Sequence, residues 1–231
     1  MFGRSGKLLA ALAFTSVGLF ASTVTMKFNA GSGVAPTLAD GSADQVGPYT
    51  AFINGSPLTT VIFCDDFSDS VSPGESWTAN LTILSSGNLS NTLYGPGLIA
   101  SHNLAYATQL YDEVAWLALQ FANNVQADWG GIQSAMWQIM NSSAPNTNPN
   151  VASSPTSTAY WLLQAAANFG HVNNANVEIL TLASGTKTST GASSVQEFLV
   201  LTPEPATYAL FGSGLILLSL GTFRRRRNKS S

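Results

Sequence analysis

The sequence predicts an α+β protein: a β-rich sandwich or barrel-like sheet with an inserted helical subdomain. Three observations point that way. Short runs of alternating apolar residues, bounded by Gly, Pro, Asn and Ser, fill residues 24–84. Apolar residues then recur at helical spacing from about 101 to 169, and strand-like sequence returns at 177–202. Strands, helices and strands in that order separate the two structure types along the chain.

Val24, Met26 and Phe28 alternate with polar neighbours and predict an opening strand; 48–54, 58–67 and 76–84 predict three more. From Ser101 to about Asn124 the residues Leu104, Ala107, Tyr111, Val114, Leu117, Ala118 and Phe121 make one apolar face of a helix uninterrupted by proline or glycine. Asp128 is placed to cap a second helix, whose face carries Ile132, Ala135, Met136, Ile139 and Met140 and whose low charge predicts burial. After an Asn/Ser/Pro loop at 141–158, Ser154-Pro155 offers a cap and first-turn proline for a third helix ending near Phe169. Residues 177–184 and 194–202 predict a closing hairpin around a Gly/Thr/Ser turn.

Both ends read as targeting segments. Residues 1–23 carry Arg4 and Lys7, an uncharged run from Leu8 to Phe20, then Ala21 and Ser22, the three-part layout of a secretory signal. Its cut point is blurred by Leu19, larger than the small residue usual two positions before Ala21. At residues 203–231 the order is Pro203-Glu204-Pro205, an uncharged stretch 206–223, and a basic tail 224–229 with Arg224, Arg225, Arg226 and Arg227. Eighteen residues at 1.5 Å each reach roughly 27 Å, enough for a transmembrane helix, and clustered arginines stay on the cytoplasmic side. The exported portion is then 24–202, one domain of ordinary size.

That C-terminal order of parts resembles the PEP-CTERM sorting signal of Gram-negative bacteria that make exopolysaccharide. The resemblance implies an exported, inner-membrane-anchored precursor that an exosortase-type enzyme cuts near Pro203-Glu204-Pro205. Its product would reside at the cell surface or in the extracellular matrix.

Charge narrows the partners. Only 9% of the residues are charged, against about 25% in ordinary globular chains. Within 24–202, Lys27 and Lys187 alone oppose every carboxylate except Glu204. Such a surface repels phosphate backbones and excludes nucleic acid as a partner.

Cys64 is the single cysteine, so no intrachain disulfide forms, and a buried small hydrophobe is its plainest reading. A second reading pairs Cys64, on the strand Val61-Ile62-Phe63-Cys64-Asp65, with Gln133, on the helix Ile132-Gln133-Ser134-Ala135-Met136-Trp137. This pair resembles the thioester domain of bacterial surface adhesins, whose helix reads Thr-Gln-x-Ala-aliphatic-Trp. Ile132 stands where that pattern has threonine, and the surroundings of Cys64 compare only loosely. The resemblance spans roughly residues 50–170 and implies a Cys64–Gln133 thioester that attaches covalently to an amine or hydroxyl. Trp137, one helical turn after Gln133, would shield the bond from water; an ordinary core aromatic is the alternative.

Other groupings carry less. Asp65, Asp66 and Asp69 lack the oxygen-rich glycine loop of calcium sites and read as a solvated loop. Asp112 and Glu113 are helical neighbours that face different directions, and read as surface charges. His102 and His171 lack partners at zinc-ligand spacing, and nothing in the sequence supports a Cys64/His171 nucleophile pair. The expectation is therefore no enzyme, no catalytic set, no metal and no cofactor. The exported domain is expected to be adhesive or structural, with a non-covalent exopolysaccharide-binding module as the alternative.

Overall fold

The computed structural model describes residues 22–202. The leader through Ala21, the Pro203-Glu204-Pro205 motif, the 206–223 span and the arginine cluster lie outside the described residues, and among those described no helix is long and apolar enough to cross a membrane.

Six strands close into an antiparallel barrel. β1 (Ser22–Ala30), β2 (Tyr49–Ile53), β3 (Thr60–Cys64), β4 (Ser76–Ile83), β5 (Val177–Leu182) and β6 (Phe198–Leu201) are arranged β1-β2-β3-β6-β5-β4, with β4 returning to β1. Closure leaves no sheet edge unpaired. The barrel alternative is thus the one adopted, and β1 starts at Ser22, two residues before the expected domain boundary. Between β4 and β5 the chain inserts α1 (Gly95–Ser101), α2 (Leu104–Gln120), α3 (Trp129–Met140) and α4 (Thr158–Asn168).

Alternation within the strands sorts side chains into two cores. Val24, Met26, Phe28, Tyr49, Ile62, Cys64, Trp77, Leu180 and Phe198 fill the barrel, where the Phe198 ring lies 6.1–6.2 Å from those of Phe28, Tyr49 and Trp77. Phe63, Val177, Ile179 and Leu199 point the other way, against the apolar faces of α2, α3 and α4. β6 is covered on both faces and reads as a continuous apolar run, whereas β1 shows one face to solvent and alternates strictly.

Three local expectations need correction. α4 begins at Thr158 with Ser157, not Ser154, as its cap: the Ser157 hydroxyl accepts from the Tyr160 N–H at 3.3 Å, while the Pro155 carbonyl accepts from the Trp161 indole at 2.5 Å. Asp128 sits at the N-cap of α3 without a side-chain capping bond. α1 falls where no element was expected; Pro96 opens it, but seven residues containing two glycines carry little helical periodicity. The cap of α2 is Asn103, which accepts from Tyr106 N–H at 2.9 Å.

Candidate functional site

β3 ends at Cys64 and α3 crosses that end of the barrel, so the two residues singled out in the sequence meet. Cys64 and Gln133 are both fully buried. The Gln133 carboxamide is held at both ends: Nε2 donates to the Cys64 carbonyl at 2.6 Å, and Oε1 accepts from the Gly47 N–H at 3.2 Å. The Cys64 thiol donates to the Asp66 carbonyl at 2.9 Å. Burial foremost, and the Asp65 carboxyl beside it, push that thiol well above its ordinary pKa.

Gly47 was not anticipated from the sequence. Its φ of +102° belongs to the left-handed half of backbone space, and a Cβ there would lie 2.5 Å from the Trp129 ring. Glycine is what lets the Val46-Gly47-Pro48 turn bring its N–H onto Gln133. Gly131 acts similarly at the helix: a Cβ would meet the Thr156 backbone and Trp161 at 2.9 Å, so glycine sets how closely α3 approaches the start of α4.

Trp137 is 1% exposed. Its indole lies beside the Cys64 sulfur, where the N–H favours a thiolate, yet Nε1 completes no hydrogen bond among the described residues. The ring packs against Phe67 at 5.1 Å. Its other side lines a cavity of about 530 Å³ at the barrel mouth, shared with Phe28, Tyr49, Asp44, Asp69 and Gln196. Trp137 thus stands between the thiol and the cavity.

No known family, curated protein or solved structure matches this chain.

The acidic residues depart from expectation. Asp65 and Asp66 are fully buried rather than solvated. The Asp66 Oδ1 accepts from the Tyr94 hydroxyl at 2.6 Å. Asp65 adjoins Glu197, also fully buried, which accepts from Tyr111 Oη at 2.8 Å, from Leu93 N–H at 2.5 Å and from the Thr181 hydroxyl. Neither Asp65 oxygen receives a hydrogen bond among the described residues. With three donors on Glu197 and none on Asp65, Glu197 keeps the charge and Asp65 the proton; burial first and the Glu197 charge second push Asp65 well above its ordinary range. Strand alternation alone would not reveal this pair, because its members are distant in sequence and meet only when β3 lies beside β6.

Glu113 is buried too, bonded to Gln109 at 2.8 Å, and Asp112 is half-buried with its pKa raised to about 6 by burial, so neither is a simple surface charge. His102 and His171 are exposed. An exposed His171 on the turn after α4 does not engage the buried thiol, whose partner is Asp66. Among the described residues no three metal-ligating side chains converge.

Proposed function

We propose that this protein is an exported surface or matrix protein that attaches covalently through a thioester between Cys64 and Gln133. The observation that carries the reading is the two-ended clamp on the Gln133 carboxamide at the buried Cys64. The Gly47 N–H polarises the amide oxygen, and the Cys64 carbonyl orients the nitrogen that must leave. Cys64 Sγ attacks Gln133 Cδ, the C–S bond forms, the C–N bond breaks, and the amide nitrogen departs as ammonia with the thiol proton. Full burial then protects the acyl–sulfur bond from water. An incoming amine or hydroxyl breaks the C–S bond, acylates itself on Gln133 and returns the proton to Cys64. Each molecule reacts once, as an adhesin does and an enzyme does not.

The terminal segments support delivery to the envelope: a leader at 1–23, then Pro203-Glu204-Pro205 for an exosortase-type processing enzyme, with the 206–223 segment as the membrane anchor and Arg224–Arg227 on the cytoplasmic side. A second reading, a non-covalent exopolysaccharide-binding module, is favoured by the aromatic and polar cavity at the barrel mouth.

Intact mass of the purified protein tests the first reading. The expected mass is lighter than the sequence by one ammonia, and methylamine adds to it; Cys64→Ala abolishes both. A mass equal to the sequence, with Cys64 open to alkylation after unfolding, overturns it.

A further inference from the structure

The cavity at the barrel mouth has features that covalent attachment alone does not call for. At about 530 Å³ it lies within the roughly 300–1,000 Å³ of small-molecule sites. Its wall joins aromatic faces from Phe28, Tyr49 and Trp137 to polar groups. Gln196 is one of these: its Nε2 donates to the Asp66 carbonyl at 3.3 Å, which leaves its amide oxygen free to accept. Asp44 and Asp69 bring two half-buried carboxylates, while neither Lys27 nor Lys187 lines the cavity. The floor is equally specific. Tyr49 shares the barrel core with Cys64, and Trp137 lies against the Cys64 sulfur, its buried Nε1 completing no hydrogen bond among the described residues.

We infer that this cavity docks a sugar ring bearing a free primary amine, a hexosamine unit of a polysaccharide, and presents that amine to the Gln133 acyl group past Trp137. A pyranose has an apolar face for aromatic rings and a rim of hydroxyls for amide and carboxylate acceptors, which matches a wall that is part aromatic and part polar. A lysine side chain, a thin apolar tether, would leave most of the polar wall unpaired, at a cost for each buried group. The amine arrives as an ammonium, which Asp44 and Asp69 attract with no competing cation in the wall among the described residues. N-acetylation removes both the charge and the nucleophile. In the covalent step the ammonium first gives one proton to solvent; the free amine then attacks Gln133 Cδ, the C–N bond forms as the C–S bond breaks, and the amine's second proton passes to Cys64. That step rests on the thioester reading; docking does not.

Two experiments on the full chain separate these claims. The first titrates Cys64→Ala, and Cys64→Ser should the alanine variant fail to fold, with a β-1,4-linked glucosamine disaccharide, its N-acetylated form and a lysyl peptide, followed by calorimetry. The disaccharide is expected to bind at least about tenfold more tightly than either competitor, an advantage lost in Asp44→Asn/Asp69→Asn and weakened by salt. No binding, or equal binding of the N-acetylated form or the peptide, overturns the docking site. The second incubates the unmodified protein with the disaccharide and reads intact mass. An adduct that consumes the thioester, formed at least about tenfold more slowly in Asp44→Asn/Asp69→Asn, supports the route. Reaction with methylamine but not with the disaccharide overturns it while leaving the thioester standing. A mass that never shows ammonia loss removes the thioester itself, and the docking site is then judged by the calorimetry alone.

Discussion

Gln133 is asked to fold and to react with the same carboxamide. Gln133→Ala leaves the Gly47 N–H unpaired in a fully buried place and, relative to a chain whose carboxamide is still intact, the Cys64 carbonyl as well. At about 1–3 kcal/mol for each stranded group, the expected loss of stability relative to that intact carboxamide is roughly 2–6 kcal/mol, read as a lower urea midpoint, and methylamine incorporation disappears. Asp65 makes a prediction of opposite sign. Its pKa is raised in the folded state, so the native protein holds a proton that the unfolded chain releases. Stability therefore falls as pH rises above the ordinary aspartate range, and keeps falling until the native Asp65–Glu197 pair itself loses its proton. Asp65→Asn keeps the neutral shape and can donate to Glu197. It is expected to raise the urea midpoint at neutral pH and to flatten the decline above the ordinary aspartate range; an unchanged slope would show that Asp65 is ionised in the native protein. Asp112, raised to about 6 and half-buried, adds a smaller decline confined to the range below that value, which Asp112→Asn removes.

Among the elements, close approach of backbones decides more than propensity. Gly131→Ala would push α3 off the Thr156 backbone and Trp161, and Gly47→Ala would meet both a positive φ and the Trp129 ring. Each is expected to cost about 1–3 kcal/mol in thermal or urea unfolding, with Gly47→Ala also slowing methylamine incorporation because its N–H moves off Gln133. These glycines mark the limit of what the sequence discloses. The six strands, α2 and α3 were legible because each writes its period into consecutive residues, and the helical tilt of Gln133 and Trp137 onto one face followed from the same periodicity. The cap of α4 lies three residues beyond the expected Ser154 because contacts made only in the fold set it there: Thr158 bonds Thr147, Ala159 N–H donates to Asn150, and the Trp161 indole donates to the Pro155 carbonyl. Gly47, Glu197 and the cavity were hidden for a different reason: each acquires its role from a partner far along the chain, 86 residues from Gly47 to Gln133 and 104 from Leu93 to Glu197.

Over the whole molecule, the Cys64–Gln133 bond would tie the closed barrel to the helical layer that β4 and β5 frame. Cys64 and Gln133 are 69 residues apart. Closing a loop of that length in the unfolded chain by a covalent link removes entropy worth about 4 kcal/mol, on the relation used for disulfides. Before any bond forms, the Gln133 carboxamide is already hydrogen-bonded to the Cys64 main chain. Opening the link with methylamine restores the unfolded chain's freedom and inserts a methyl group into a fully buried site, so both effects act in one direction. For a domain of this size, at about 2–4 °C for each kcal/mol, the methylamine-treated protein is expected to unfold roughly 10 °C below the untreated one. Cys64→Ala is expected to match the treated protein more closely than the untreated. Scanning calorimetry on the three samples checks this, with Gln133→Glu as the control that keeps the side-chain shape and has no ammonia to lose. Equal melting temperatures for treated and untreated protein, despite a mass that records the adduct, would mean that the barrel and helices are joined by their packing alone and that the bond serves attachment without stabilising the fold.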